Sequence, residues 1–220
     1  MAAAAVTESV VQAPKDRVAE VLVRRLGRAE YEPTWRAMQD FTVRRGADTA
    51  DELWLTEHPP VYTLGLAGRR EHRPRANNGI PVIKADRGGQ ITYHGPGQVI
   101  VYLLLDMRRR NIAIRPLVRS MEQAVIDFLA AHSIPAERRA GAPGVYVGGA
   151  KIAALGLRVR NGCSYHGLAF NADMDLTPFD VIDPCGFPGL NVTHARALGI
   201  ADSIEAIGSQ LADNMLEVLQ

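Results

Sequence analysis

The chain is poor in cysteine, with two among 220 residues, too few to staple a fold through disulfides. A reducing, cytoplasmic setting with both thiols available for chemistry is therefore expected. No apolar run approaches the ~18 residues that a membrane span needs. The opening segment, Met1 to Val11, lacks the basic stretch and apolar core of a secretory leader. Charge of one sign is missing as well. Twenty-five Lys and Arg face 24 Asp and Glu, a net charge of +1 that offers no field for nucleic acid or an anionic membrane surface. There is no Gly-x-Ser-x-Gly elbow, so serine-hydrolase chemistry has no support. Gly95-Pro96-Gly97 lacks the third glycine of a dinucleotide loop and precedes a strand. Gly149 and Lys151 fail as a phosphate loop, because Ala150 intervenes and a strand follows. Cys163, His166, Cys185 and His194 lack the paired spacing of a zinc site. Neither a metal nor a cofactor is called for.

What is present describes one globular domain, with 47% hydrophobic and 22% charged residues. Residues 1–14 read as a flexible tail and 15–220 as a single domain without repeats. Val18 to Leu26 reads as a strand. Tyr31, Trp35, Met38 and Thr42 recur at helical spacing, with Pro33 suited to a first turn. Leu53 to Thr56, Val61 to Leu64 and Pro81 to Arg87 suggest short strands. Val99 to Leu105 is continuously apolar, as in a strand buried on both faces. Leu117, Met121, Ala124 and Phe128 form a second helical stripe. Ile152 to Arg160 ends in strand alternation. The last helix carries Ile204, Ile207, Leu211 and Met215, with Asp202 and Glu205 in capping-box positions. Several strands with three helices indicate a mixed α/β or α+β domain.

Three segments have the makings of a site. Arg87-Gly88-Gly89-Gln90-Ile91-Thr92-Tyr93-His94-Gly95-Pro96-Gly97 packs glycines and donors before a buried strand, so its backbone can approach a ligand and its N–H groups can hold an oxygen. Lys151 stands among small and apolar residues, the setting in which a lysine can work as a base near neutral pH. Cys185, between Pro184 and Gly186, sits on a rigid turn able to present a sulfur. On composition alone Cys163 is an equal candidate, and either thiol has the plainer alternative of a small buried hydrophobe.

In this order, Glu57-His58-Pro59-Pro60-Val61-Tyr62-Thr63-Leu64-Gly65, Arg87 to Asp106, Gly144 to Gly156, His166-Gly167-Leu168-Ala169-Phe170-Asn171 and Pro184-Cys185-Gly186 resemble the lipoyl(octanoyl) transferases. The resemblance spans roughly residues 18 to 215. It implies a catalytic domain like that of the biotin- and lipoate-protein ligases, a mixed, largely antiparallel sheet flanked by helices. It makes Cys185 the nucleophile and Lys151 its base and pKa-lowering partner. Arg87, Gly88, Gly89, Gln90, Ile91, Thr92, Tyr93 and His94 would line the substrate site. Ala154, Leu155, Gly156, Gly167, Leu168 and Ala169 would form the acyl pocket. It also separates the cysteines, since Cys163 lies on no family motif. The implied donor is octanoyl-acyl carrier protein, and the implied acceptors are lipoyl domains of 2-oxoacid dehydrogenases and the glycine cleavage H protein. Arg108 to Arg110, or Arg138 and Arg139, are candidate docking cations for the acidic carrier. Two rivals remain: an ATP-dependent lipoate or biotin ligase, and a non-catalytic acyl-binding module.

Overall fold

The computed structural model describes residues 21–184 and 189–219. The expected tail, 1–14, lies outside them, as does the start of the first expected strand. In chain order the described elements are β1 (Val21–Arg28), α1 (Tyr31–Arg44), β2 (Asp51–Glu57), β3 (Val61–Leu64), β4 (Val82–Lys84), β5 (Ile91–His94), β6 (Gln98–Leu104), α2 (Ile114–Ala131), β7 (Glu137–Arg138), β8 (Val145–Val147), β9 (Ala150–Arg160), β10 (Cys163–Asn171) and α3 (Ile204–Val218).

Seven strands form one sheet in the order β1-β2-β6-β10-β9-β8-β7. Only β1 and β2 pair in parallel, so the sheet is largely antiparallel, as expected. β6 is central and wholly buried because both of its faces are covered. Val99, Val101 and Leu103 pack with Leu117, Met121 and Phe128 of α2 and Leu211 and Met215 of α3. Ile100, Tyr102 and Leu104 face the other way, against Met38 of α1. Full burial of a side chain such as Phe128 contributes about 1.5–3 kcal/mol, so the two helical stripes anchor the layers.

A second sheet of three strands, β4-β3-β5, stands beside the first. Its Tyr62, Leu64, Ile91 and Tyr93 pack on Met174, Phe179 and Ile182. The sequence pattern does not show this sheet, since β5 hides inside the glycine-rich run. Like the short β7 and β8, β10 is also missed by periodicity. Polar Ser164, His166 and Asn171 interrupt its apolar residues, yet all nine positions are buried. The α3 cap differs by one residue from the expected capping box. Ser203 is the N-cap, its Oγ accepting from the Ala206 N–H, while Asp202 accepts from Gln210 and meets His132.

Candidate active site

β6, β10 and β9 together make a floor. Ile100 lies opposite Ala169 and Ala169 opposite Ala154; in the next row Tyr102, Gly167 and Gly156 are partners. Small residues leave space there, and the loop after β4 roofs it. The result is a cleft between floor and roof. Arg87, Gly89, Gln90, Ile91, Thr92 and His94 line it from above, and Ala154, Leu155, Gly156, Gly167, Leu168 and Ala169 from the floor. Thus residues from 87–94, 154–156 and 167–169 converge, although they are far apart along the chain. Gly88 and Tyr93 do not line the cleft. The Gly88 N–H donates to the Leu157 carbonyl at 2.9 Å. Tyr93 points into the smaller sheet's core, 5.5 Å between ring centres from both Tyr62 and Phe179, where burial pushes its phenol up to about 12.

Arg87 braces the roof from inside. Its guanidinium donates to the Thr63 hydroxyl and to the carbonyls of Thr63, Gly88 and Gln90. Tyr31, Ile100, Tyr102 and His166 complete the lining. Reading the sequence did not assign them, because their partners come from distant strands. His58 packs behind Tyr102, and His94 stacks on Tyr31. Nδ1–H of His58 donates to the Ala29 carbonyl at 2.6 Å, leaving Nε2 to accept from the Tyr102 hydroxyl at 2.7 Å. Nδ1–H of His94 donates to Gln98 Oε1 at 2.7 Å. Burial lowers His58 to about 4 and, with repulsion from His58 as a smaller cause, His94 to about 3. Both are neutral at pH 7.

This sets a pH dependence of stability. An unfolded histidine takes up a proton below about 6.5, whereas these two folded ones do not until much lower pH. Their stabilisation is complete above the unfolded value and is lost as pH falls towards the folded values. The loss is expected to be of the order of 1 kcal/mol per pH unit for each histidine. Thermal melts between pH 7.5 and 5 check this, and a midpoint that stays level to pH 5 would contradict it.

Lys151 is 3% exposed at the start of β9. It is therefore not an exposed lysine at a strand start. Its backbone is locked on the outer side by Asn191 and Thr193, with N–H to O distances of 2.8 and 3.0 Å. Its ammonium lies 5.4 Å from the centre of the Tyr146 ring. Gly144 makes room for the stem. At φ +144° it adopts a backbone that L side chains rarely take, and an added Cβ would strike Lys151 Cε and lie 2.7 Å from the Ala153 carbonyl. Gly144→Ala is expected to cost about 1–3 kcal/mol from backbone strain alone and to displace the lysine. Chemical denaturation with a transfer assay measures both, and an unchanged stability and rate would refute this.

The side chain of Lys151 lines a smaller cavity with Thr92, Ala154, Asn171 and Pro184. Thr92 and Ala154 also line the large cleft, so the two spaces adjoin. Cys185 itself lies outside the described residues, but Pro184 immediately precedes it in the chain. Cys163, the other candidate thiol, is buried at the opposite end of β10, bridged to Asp106. Burial first, then the nearby Asp106, pushes its thiol up, which works against a nucleophile. Among the described residues no cluster of His, Cys, Asp and Glu is arranged as a metal site. No described helix is long and apolar enough to cross a membrane.

The sheet, the glycine-rich roof and the cleft define a class. The fold is that of the lipoate- and biotin-protein ligase catalytic domains. A lipoate-protein ligase A crystallised with ATP superposes with a TM-score of 0.72 at 17% identity, over 91% of this chain and 85% of that one. A biotin protein ligase from Aquifex aeolicus gives 0.54 at 9% identity, over 90% and 68%. Sequence goes further than fold. A family model described as the lipoyl protein ligase A/B catalytic domain matches residues 30–213. Proteins named octanoyltransferase are similar along nearly their whole length. The one from Azoarcus sp. is 62% identical over 199 residues, covering 90% of this chain and 88% of its own. That of Thiobacillus denitrificans is 66% identical over 193 residues, 88% of each chain. The chain belongs to the lipoyl protein ligase A/B family and, within it, to the octanoyltransferases; it is an acyltransferase.

Proposed function

We propose that this chain takes an octanoyl group from octanoyl-acyl carrier protein onto Cys185 and passes it to a lysine of a lipoyl domain, as found in 2-oxoacid dehydrogenases and the glycine cleavage H protein. One observation carries the reading. The buried amine of Lys151 and the residue next to Cys185 line one small cavity, which adjoins an apolar cleft through Thr92 and Ala154.

The chemistry follows from that adjacency. A thiol of ordinary pKa, about 8.5, is only about 3% ionised at pH 7. Lys151 takes the Cys185 proton and the resulting ammonium steadies the thiolate. The thiolate attacks the donor's thioester carbon, the carrier's thiol departs, and Lys151 returns a proton to it. In the second half the target lysine's amine attacks the Cys185 thioester. An amide forms, the C–S bond breaks, and Lys151 accepts the proton released. A thioester-to-thioester exchange followed by a downhill step to an amide needs no ATP. It does need a reduced thiol, which suits a cytoplasmic setting.

Docking on basic clusters fits the carrier's acidity, but the structure narrows the choice. Arg109 and Arg110 are committed to the buried Asp51, together with Arg45. Arg138 holds Glu122 and Gln123, and Arg139 covers the Tyr146 ring. Arg108 is exposed and lies over Gly162, where an added Cβ would strike its side chain. Mixing the enzyme with octanoyl-carrier protein, quenching in acid and mapping peptides should find the acyl mass on the Cys185 peptide. Acylation of Cys163 instead, or attachment of free octanoate that depends on ATP, would overturn the proposal.

A further inference from the structure

Asp86 belongs to none of the residues assigned a role so far, yet it is the most heavily bonded carboxylate near the cleft. It accepts from Trp35 Nε1 at 2.7 Å and Gln39 Nε2 at 3.0 Å, both from α1. From β10 it accepts from the Tyr165 hydroxyl and from His166 Nε2 at 2.9 Å. Burial alone would raise its pKa, but these donors outweigh burial and hold the carboxyl well below its usual range. The two residues that follow are tied down as well, Arg87 to Thr63 of β3 and Gly88 to Leu157 of β9. One short peptide, 86–88, is therefore fastened to four elements and lies across the floor sheet.

It crosses at Gly156. A Cβ there would sit 3.3 Å from both Arg87 Cδ and the Gly88 carbonyl, so the roof touches the floor with no space to spare. Beyond the crossing, the next floor row pairs Tyr165 with Arg158, both large. On the near side the floor is small, Ala154 with Ala169 and Gly156 with Gly167, and it leads back towards Lys151. His166 reinforces the closure at a cost. It is held at φ +62° inside a strand, where a non-glycine residue loses about 1–3 kcal/mol. That turn brings its ring beside Tyr165, 5.1 Å between centres, and onto Asp86. Strain of this kind persists only where surrounding bonds over-determine it.

We propose that Asp86 is a positioning residue for acyl-chain length: by clasping the 86–88 peptide across Gly156, it shuts the far end of the cleft and limits the longest chain accepted. This rests on the acyl-transfer reading above. Carrier proteins loaded with hexanoyl, octanoyl, decanoyl and dodecanoyl chains test it on the wild type, Asp86→Ala, Tyr165→Phe and Gly156→Ala. Tyr165→Phe removes one hydroxyl from the clasp and keeps the ring, so it reports even if Asp86→Ala folds poorly. Loosening the clasp is expected to raise kcat/KM for decanoyl and dodecanoyl relative to octanoyl by about tenfold, mainly through KM. Gly156→Ala is expected to shift preference the other way, towards hexanoyl. A uniform loss at every length, the mark of a merely structural role, overturns the inference while leaving acyl transfer intact. A wild type acylated by none of the chains removes the transfer reading and this inference with it.

Discussion

Cys185→Ala is expected to lower octanoyl transfer by about 10⁴-fold or more, a barrier increase of about 5 kcal/mol, without unfolding the protein. A removed nucleophile leaves only binding and orientation, and the donor's thioester has no other thiol within the site to receive its acyl group. Cys163→Ala supplies the control. That thiol is buried beside Asp106 at the other end of β10, where burial raises its pKa, so its loss is expected to leave the transfer rate within a factor of about two. Single-turnover rates with octanoyl-carrier protein decide the matter. Comparable losses in the two variants, or retention of transfer in Cys185→Ala, would sink the thioester mechanism. The second of these results would point to an adenylate route such as an ATP-dependent ligase uses.

Lys151 gives the second large effect, and two substitutions divide its roles. In Lys151→Ala both half-reactions lose their proton acceptor and are expected to slow by about 10²–10⁴-fold. In Lys151→Arg the positive charge beside the thiolate remains, but a guanidinium does not release its proton in a protein. Thiolate formation would then be partly preserved while proton removal from the attacking amine is lost. The acyl-enzyme is expected to accumulate in Lys151→Arg and to discharge slowly to the acceptor domain. Mass spectrometry during the time course reads both halves at once. Equal rates in all three proteins would remove Lys151 from the mechanism. The packing explains why the test is demanding: Gly144, Tyr146, Asn191 and Thr193 enclose the residue, so a bulkier head must be accommodated in a confined space.

Some of this architecture was readable from residue order alone because the signals were local. Pro33 in a first turn and the four-three-four spacing from Tyr31 mark α1, which begins at Tyr31. The stripe from Leu117 to Phe128 marks the buried face of α2. The unbroken apolar run after Gln98 announces a central strand, since only a strand covered on both sides can carry it. β5 and β10 escaped that reading for physical reasons. Each buries polar side chains that find partners across the fold, Thr92 and His94 in one and Ser164, His166 and Asn171 in the other, so neither alternates. The α3 cap moved by one residue because Asp202 is drawn to His132 and Gln210, leaving Ser203 to cap.

The sequence by itself determined the chemistry on offer: a thiol between a proline and a glycine, a lysine among small residues, and a glycine-rich loop able to approach a ligand. Residue types and neighbours decide these, and both are written in the chain. Tertiary structure alone decided that the lysine and the glycine-rich loop line adjoining spaces, and how far the cleft runs. Lys151 becomes buried through strand pairing and Gly144, and the cleft closes where Asp86, Tyr165 and His166, 80 residues apart along the chain, share hydrogen bonds. Contacts between segments so distant depend on strand order and register, and these emerge only when the whole core packs.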